Sequence, residues 1–244
     1  MNTLTAIVTG ASSGIGKAIA AYFLDRGANV VINSATATKL EEAARELGGG
    51  PRLATVAGDV SDKATGERLV QTALERFGSV DVLINNAGIY ENKPFLEVDE
   101  AYLDRFLRTN LKGTFFTTQA VLPQMIRQRD GAVINIGSPL VGHALGGSPS
   151  TAPMASKGAI HALTLQLAAE FGPANIRVNT IACGIIRTPM HGDQADAAAG
   201  LHLLGRIGEV DEVAQMAYTL ATNRFVTGAI INVDGGMGAG HHLS

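Results

Sequence analysis

The run Thr9-Gly10-Ala11-Ser12-Ser13-Gly14-Ile15-Gly16 has the composition of a phosphate cradle. Glycines at these points let the backbone turn tightly and come close to a ligand, and the free amides and positive end of a helix opening there stabilise a pyrophosphate charge. A glycine cluster alone is a weak signal. This one follows an apolar run, Ala6-Ile7-Val8, and precedes a helical stripe of Ile15, Ile19 and Phe23, the context that raises its value. Groups that could move protons are fewer. Cys183 is the only cysteine, which excludes an internal disulfide and any multi-cysteine metal or redox site. No histidine or basic residue adjoins it in sequence, so its expected role is a small buried hydrophobe. His191 and the terminal pair His241-His242 read as solvent-exposed, and two adjacent histidines in a glycine-rich tail make a poor metal site, so no metal is expected.

Short apolar or β-branched runs alternate with helical patterns along the whole chain. The runs are Ala6 to Val8, Val30 to Ile32, Leu53 to Val56, Val80 to Ile84, Ala132 to Ile136, Arg177 to Ile181 and Ala229 to Val233. Seven strands separated by helices imply a parallel sheet covered on both faces, and right-handed crossovers make it a doubly wound Rossmann fold of α/β class. Ile160, Leu163 and Leu167 form a second helical stripe expected to pack in the core. Gly27, Gly78 and Gly172 sit where helices should stop. Residues 184–208 are punctuated by Pro189, Gly192, Gly200, Gly205 and Gly208 with little sustained periodicity, and so read as a mobile lid. With 244 residues, 46% hydrophobic and 17% charged, one domain over 1–244 with a sizeable core is expected. The formal charge of −3 and the scattered basic residues leave no footprint for nucleic acid or an anionic membrane. A start without a basic leader, cleavage site or long apolar stretch makes a soluble cytoplasmic protein the expectation.

The glycine loop recurs with other motifs in a fixed order. Asp59-Val60, Asn85-Asn86-Ala87-Gly88, Asn110, Ser138, Lys157, Gly184 with Thr188, and Asp234-Gly235-Gly236 follow it along the chain. In this order the chain resembles a short-chain dehydrogenase/reductase over essentially its whole length. The resemblance implies that Gly10, Ser12, Ser13, Gly14, Ile15 and Gly16 hold the pyrophosphate and adjacent ribose, and Asp59 and Val60 the adenine. Asn86, Ala87 and Gly88 would form the inner cofactor face, with Gly184, Ile186 and Thr188 around the nicotinamide carboxamide. Lys157 would bond the nicotinamide ribose, Ser138 would orient the substrate oxygen, and Asn110 would hold a water linking Lys157 to solvent. A small carbonyl or alcohol is the implied substrate, and a homotetramer the implied assembly, with Ala159, Leu163 and Ala168 available for close packing after Lys157.

One position breaks the pattern. The family's proton-donating tyrosine precedes its lysine by four residues, and in Ser150-Thr151-Ala152-Pro153-Met154-Ala155-Ser156-Lys157 that place holds Pro153, which has no polar side-chain atom. Tyr102 and Tyr218 are the nearest tyrosines on either side. In the first turn of a helix, capped by Thr151, a proline breaks no intrahelical bond, so the fold should tolerate what the chemistry does not. Cys183 is a second departure, standing where the family usually has proline before Gly184. His143, in the loop that lines the substrate pocket in the family, Tyr90, Lys157 itself, or a water between Lys157 and Asn110 are the candidate substitutes. At the end of the second strand, Asn33-Ser34-Ala35-Thr36-Ala37-Thr38-Lys39 contains no acid to bond a ribose 2′-hydroxyl. A 2′-phosphate would meet Ser34, other hydroxyls and Lys39, so NADP is preferred over NAD, although an arginine is missing. Three readings follow: an oxidoreductase with an atypical site, a cofactor-binding protein that has lost catalysis, or a non-redox enzyme on the same scaffold.

Overall fold

Every strand of the sheet is parallel to its neighbours, as expected of a chain whose strands are joined by helical crossovers. The computed structural model describes residues 3–240, apart from the side chains of 193–195, so His241-His242 lie outside the described residues. The strands are β1 (Thr5–Val8), β2 (Asn29–Ser34), β3 (Leu53–Ala57), β4 (Val82–Asn85), β5 (Gly131–Gly137), β6 (Ile176–Cys183) and β7 (Ile230–Val233). Their spatial order, β3-β2-β1-β4-β5-β6-β7, reverses direction between β1 and β4 and opens a crevice at their carboxyl ends. Alternate residues of β1 face different cores: Ala6 and Val8 pack with α1 (Gly14–Asp25) and α7 (Val210–Thr222), while Ile7 joins a cluster containing Leu69 and Met125 on α3 (Lys63–Phe77) and α5 (Gly113–Gln128). The remaining helices are α2 (Ala37–Glu46), α4 (Glu100–Phe106) and α6 (Thr151–Phe171). No helix of the described residues is long and apolar enough to cross a membrane, and among them no cluster of three His, Cys, Asp or Glu could hold a metal.

Several local expectations need correction. The fourth strand begins at Val82 rather than Val80, because the Gln128 side chain takes both backbone groups of Val80, accepting its N–H at 3.1 Å and donating to its carbonyl at 2.9 Å. Gly27 and Gly78 end their helices in the left-handed region at φ 81° and 80°. Gly172 does not: at φ −52° it leads from α6 into a 3₁₀ turn, Gly172–Ala174, and Asn175 makes the reversal at φ 61°. The buried row of α6 is Ile160, Thr164 and Ala168, with Leu163 and Leu167 only half-buried. Thr164 can face the core because its hydroxyl donates to the Ile160 carbonyl, accepts from Asn135 and bonds Thr180 at 2.7 Å, so no polar group is stranded. Ala168 belongs to that core and is not available for packing between subunits.

The segment 184–208 also carries an element that its weak periodicity did not reveal, a ten-residue 3₁₀ helix at Gly192–Leu201. Its far end is pinned by His202, which is buried; Nε2 accepts the Ile185 N–H at 3.1 Å, and Nδ1 lies 3.2 Å from the Ala198 carbonyl. Accepting at Nε2 fixes the neutral tautomer with its proton on Nδ1.

Arg177 of β6 ties the sheet to α7 by donating to the carbonyls of Leu220 and Ala221, groups that have no partner within the helix end. Arg177→Met should lower the unfolding free energy by about 3 kcal/mol, read as a lower urea midpoint at unchanged m-value.

Candidate active site

The cradle is built by close approach of two loops, which explains its glycines. Gly10 has φ 62°, and a Cβ there would sit 2.7 Å from Ala87 Cα; one on Gly16 would sit 2.6 Å from the Gly10 carbonyl oxygen. Asn86 staples the loops together, its Nδ2 donating to the carbonyls of Thr9 and Gly10, both at 3.0 Å. Thr9 answers from the other side, its Oγ1 accepting the N–H groups of Asn86 and Ala87 at 3.0 and 3.1 Å. Asn85 is the last residue of β4, and its amide turns inward to Thr117, Thr118 and Asn135. Thr9 and Asn85 stand within motifs legible in the sequence but had no role assigned there, and Asn135 was read only as part of a strand.

A groove of about 460 Å³ runs from this cradle over the carboxyl ends of the strands. Every candidate cofactor residue except Gly16 and Lys157 lies on its wall. Its far end meets Asn33, Ser34 and Ala35, with no carboxylate among those three. Lys39 is exposed on α2 and is not on the wall, so the expected lysine contact to a 2′-phosphate is absent from this arrangement. Burial works against the Asp59 carboxylate, but hydrogen bonds from the Ser61 N–H and hydroxyl and the charge of Arg108 outweigh it and hold its pKa below the usual carboxylate value.

A second cavity of about 560 Å³ opens beside the groove, with walls mainly from Ile89, Leu140, Leu145, Met154, Ile185 and Met237. The two share Ile15, Asn86, Gly88, Ile89, Gly184, Met190 and His191, and so meet at one junction. Ser138 and Lys157 lie on the apolar cavity's wall. Ser138 caps a 3₁₀ turn, Pro139–Val141, by accepting the Leu140 N–H at 3.2 Å. The Lys157 ammonium is enclosed and donates to the Ile136 carbonyl, and burial depresses its pKa to about 8.

Asn110 is fully buried in a π-helical stretch, Leu107–Lys112, between α4 and α5. Its Oδ1 accepts the Ile89 N–H at 2.8 Å, and its Nδ2 donates to the Ile89 carbonyl and to Ser156 Oγ at 3.1 and 2.9 Å. Both amide protons are therefore spent on protein, and a water at Asn110 would have to use its main-chain carbonyl, of the kind that π-turns free from the helical ladder. Pro153 is the third residue of α6, where the first helical bond runs from the Met154 N–H to the Ser150 carbonyl at 2.9 Å. Its missing N–H thus costs nothing, although Ser150 rather than Thr151 occupies the cap and makes no side-chain capping bond.

The structure places the candidate proton donors unequally. Tyr90 is on the apolar wall, whereas His143 is half-buried just past the 3₁₀ turn and is not among the lining residues. The Cys183 thiol also lines the cavity, but burial pushes its pKa up to about 12, which leaves it inert. His191 is not simply solvent-exposed as expected: it is half-buried at the junction, and its Nδ1 is buried with no hydrogen-bond partner among the described residues. Its position just beyond Thr188-Pro189 was the only sequence signal. His161, one turn beyond Lys157, also has an unpartnered buried ring nitrogen, Nε2, but lines neither cavity.

Comparison with known proteins agrees with this geometry. The family model for short chain dehydrogenases matches residues 4–199. The 3-oxoacyl-acyl-carrier-protein reductase FabG of Thermotoga maritima is 37% identical over 238 residues, covering 95% of this chain and 96% of that protein. Oxidoreductase UcpA of Salmonella typhimurium is 37% identical over 247 residues, covering 95% and 93%. A solved structure of a candidate gluconate dehydrogenase from Agrobacterium tumefaciens superposes with a TM-score of 0.88 at 30% identity, covering 98% of this chain and 97% of that one. With the doubly wound sheet, the glycine cradle at its switch point and a family match over most of its length, the chain belongs to the short-chain dehydrogenase family.

Proposed function

We propose that this chain is an oxidoreductase that moves a hydride between NADP(H) and a small, uncharged carbonyl or alcohol. The observation that carries the reading is the junction, where a groove ending in a glycine cradle meets an apolar cavity bearing Ser138 and Lys157. The fit to a pyrophosphate is supported by the groove wall there, formed by Gly10, Ser12, Ser13 and Gly14 at the start of α1, with Gly10 and Gly16 lacking side chains so that this loop can pack against Asn86 and Ala87. When bound, the nicotinamide supplies or accepts the hydride. Ser138 would orient the substrate oxygen by its hydroxyl, a role supported by its place on the cavity wall. Lys157 holds a positive charge under the cavity at neutral pH and would bond the nicotinamide ribose of a bound cofactor, and it is the only lysine or arginine on either wall among the described residues. Residues 184–208 form the substrate lid of a single domain. The mainly apolar wall and the shortage of cations favour an uncharged substrate over one bearing phosphate or carboxylate. Pro153 favours a second reading, a dinucleotide-binding protein without catalysis, which a nicotinamide absorbance assay over a carbonyl panel separates from the first.

Three measurements follow. Calorimetric titration should show NADP binding more tightly than NAD, and Ser34→Asp should weaken NADP by about tenfold or more through charge repulsion while sparing NAD; no heat with either dinucleotide would overturn the cofactor assignment.

The depressed pKa of Lys157 has a stability consequence. The unfolded chain holds this proton more tightly, so burying the ammonium costs stability below about 8, and the cost fades as pH climbs toward the ordinary value of 10.5. Lys157→Met should therefore stabilise the ligand-free protein by about 1–3 kcal/mol at neutral pH, with the gain shrinking above pH 8 in chemical denaturation.

A homotetramer is the proposed assembly, supported by exposed Phe115 and Ile126 on α5 and Leu165 on α6, and light scattering should give four times the chain mass of 25.3 kDa.

A further inference from the structure

Hydride transfer to a carbonyl leaves an alkoxide that needs a proton, and Pro153 cannot give one. The donor must stand where cofactor groove and substrate cavity meet. The ionisable side chains on the two walls, among the described residues, are Asp59, Tyr90, Lys157, Cys183 and His191. Asp59 belongs to the groove alone, bonded to Ser61 and Arg108. Tyr90, Lys157 and Cys183 belong to the apolar cavity alone; the Lys157 ammonium is turned to the Ile136 carbonyl, and the Cys183 thiol is inert. Only His191 lies on both walls.

From this geometry, and resting on the hydride-transfer reading above, we propose that His191 is the proton donor and acceptor of this site, taking the place of the missing tyrosine. Nδ1 is buried and reaches neither substrate nor solvent among the described residues, so it keeps its proton throughout and exchange runs through Nε2, which carries a proton in the imidazolium and a lone pair in the neutral ring. In reduction, the carbonyl carbon gains the hydride given up by the reduced nicotinamide. The carbonyl π pair moves onto oxygen, and that oxygen takes the proton from imidazolium Nε2, leaving a neutral ring that solvent reprotonates. In oxidation, neutral His191 takes the hydroxyl proton as the hydride leaves carbon for the oxidised nicotinamide.

Desolvation lowers the imidazole's pKa, which favours the neutral, proton-accepting form at neutral pH. The lid's own charges do not reverse this: Arg187 is paired with Asp196 at 2.7 Å and with Glu209 at 3.0 Å. Alcohol oxidation should therefore persist to lower pH than an ordinary histidine base allows, and ketone reduction should rise as pH falls.

The test measures reduction of cyclohexanone and acetophenone by NADPH across roughly pH 5 to 9 in the wild type, His191→Gln and Tyr90→Phe, with NADPH affinity measured by calorimetry. His191→Gln should lose on the order of a hundredfold to ten-thousandfold in kcat, and its acid-side rise, at unchanged NADPH affinity. Adding Pro153→Tyr to His191→Gln should recover much of that loss, while Tyr90→Phe should change little. NMR titration of the His191 ring in the ligand-free protein should give a pKa below the ordinary 6.5. A wild type that turns over while His191→Gln keeps its rate overturns the assignment of His191 and leaves the oxidoreductase reading intact. A wild type that binds NADPH and reduces neither ketone overturns both.

Discussion

The Asn86 amide is the constraint on which the rest of the site depends. It spans from the end of β4 to the two carbonyls at the end of β1, at the place where the strand order reverses and the crevice opens. Thr9 reciprocates by accepting two N–H groups from the opposite loop. The four bonds satisfy backbone groups that the ends of two parallel strands would otherwise leave open, and they hold the loops so close that Gly10 and Gly16 admit no side chain. Groove, junction and apolar cavity all take their shape from that contact, because Asn86 lies on the walls of both spaces.

Behind the junction, a second polar constraint is hidden in the core. Asn85, Asn135, Thr164 and Thr180 are linked from β4 through β5 and α6 to β6, each with its donors or acceptors matched. This chain of bonds fixes α6 against the sheet, and α6 carries Lys157. Pro153 at the third position of that helix leaves its backbone bonding whole, which is why the scaffold can keep its form with no tyrosine there. In the proposed mechanism what changes is the route of the proton, and the side chain offered for it, His191, comes from the segment 184–208 rather than from α6.

Much of the fold was legible in the sequence because its signals are local. Short apolar runs between helical stripes mark the seven strands, and the glycine loop and Asn86 keep fixed places at strand ends. The buried row of α6 was less legible, since a pattern that counts only apolar residues passes over Thr164, whose hydroxyl is satisfied by partners from other elements. The 3₁₀ helix at Gly192–Leu201 was not legible either, for its alanines and glycines carry no apolar period. His191 illustrates the same limit: its interest comes from where the segment after β6 sets it, between two cavities, and not from its neighbours in sequence. His143 had the opposite fate, near the motif in sequence and off the cavity wall in space.

The central claim is that hydride crosses the junction between groove and apolar cavity. The most direct measurement uses NADPH carrying deuterium at both C4 positions, incubated with acetophenone and the wild-type protein, with the alcohol product analysed by mass spectrometry. The account predicts one deuterium per product molecule, on the carbinol carbon. Bound cofactor with no labelled alcohol, or alcohol formed without the label, would contradict it.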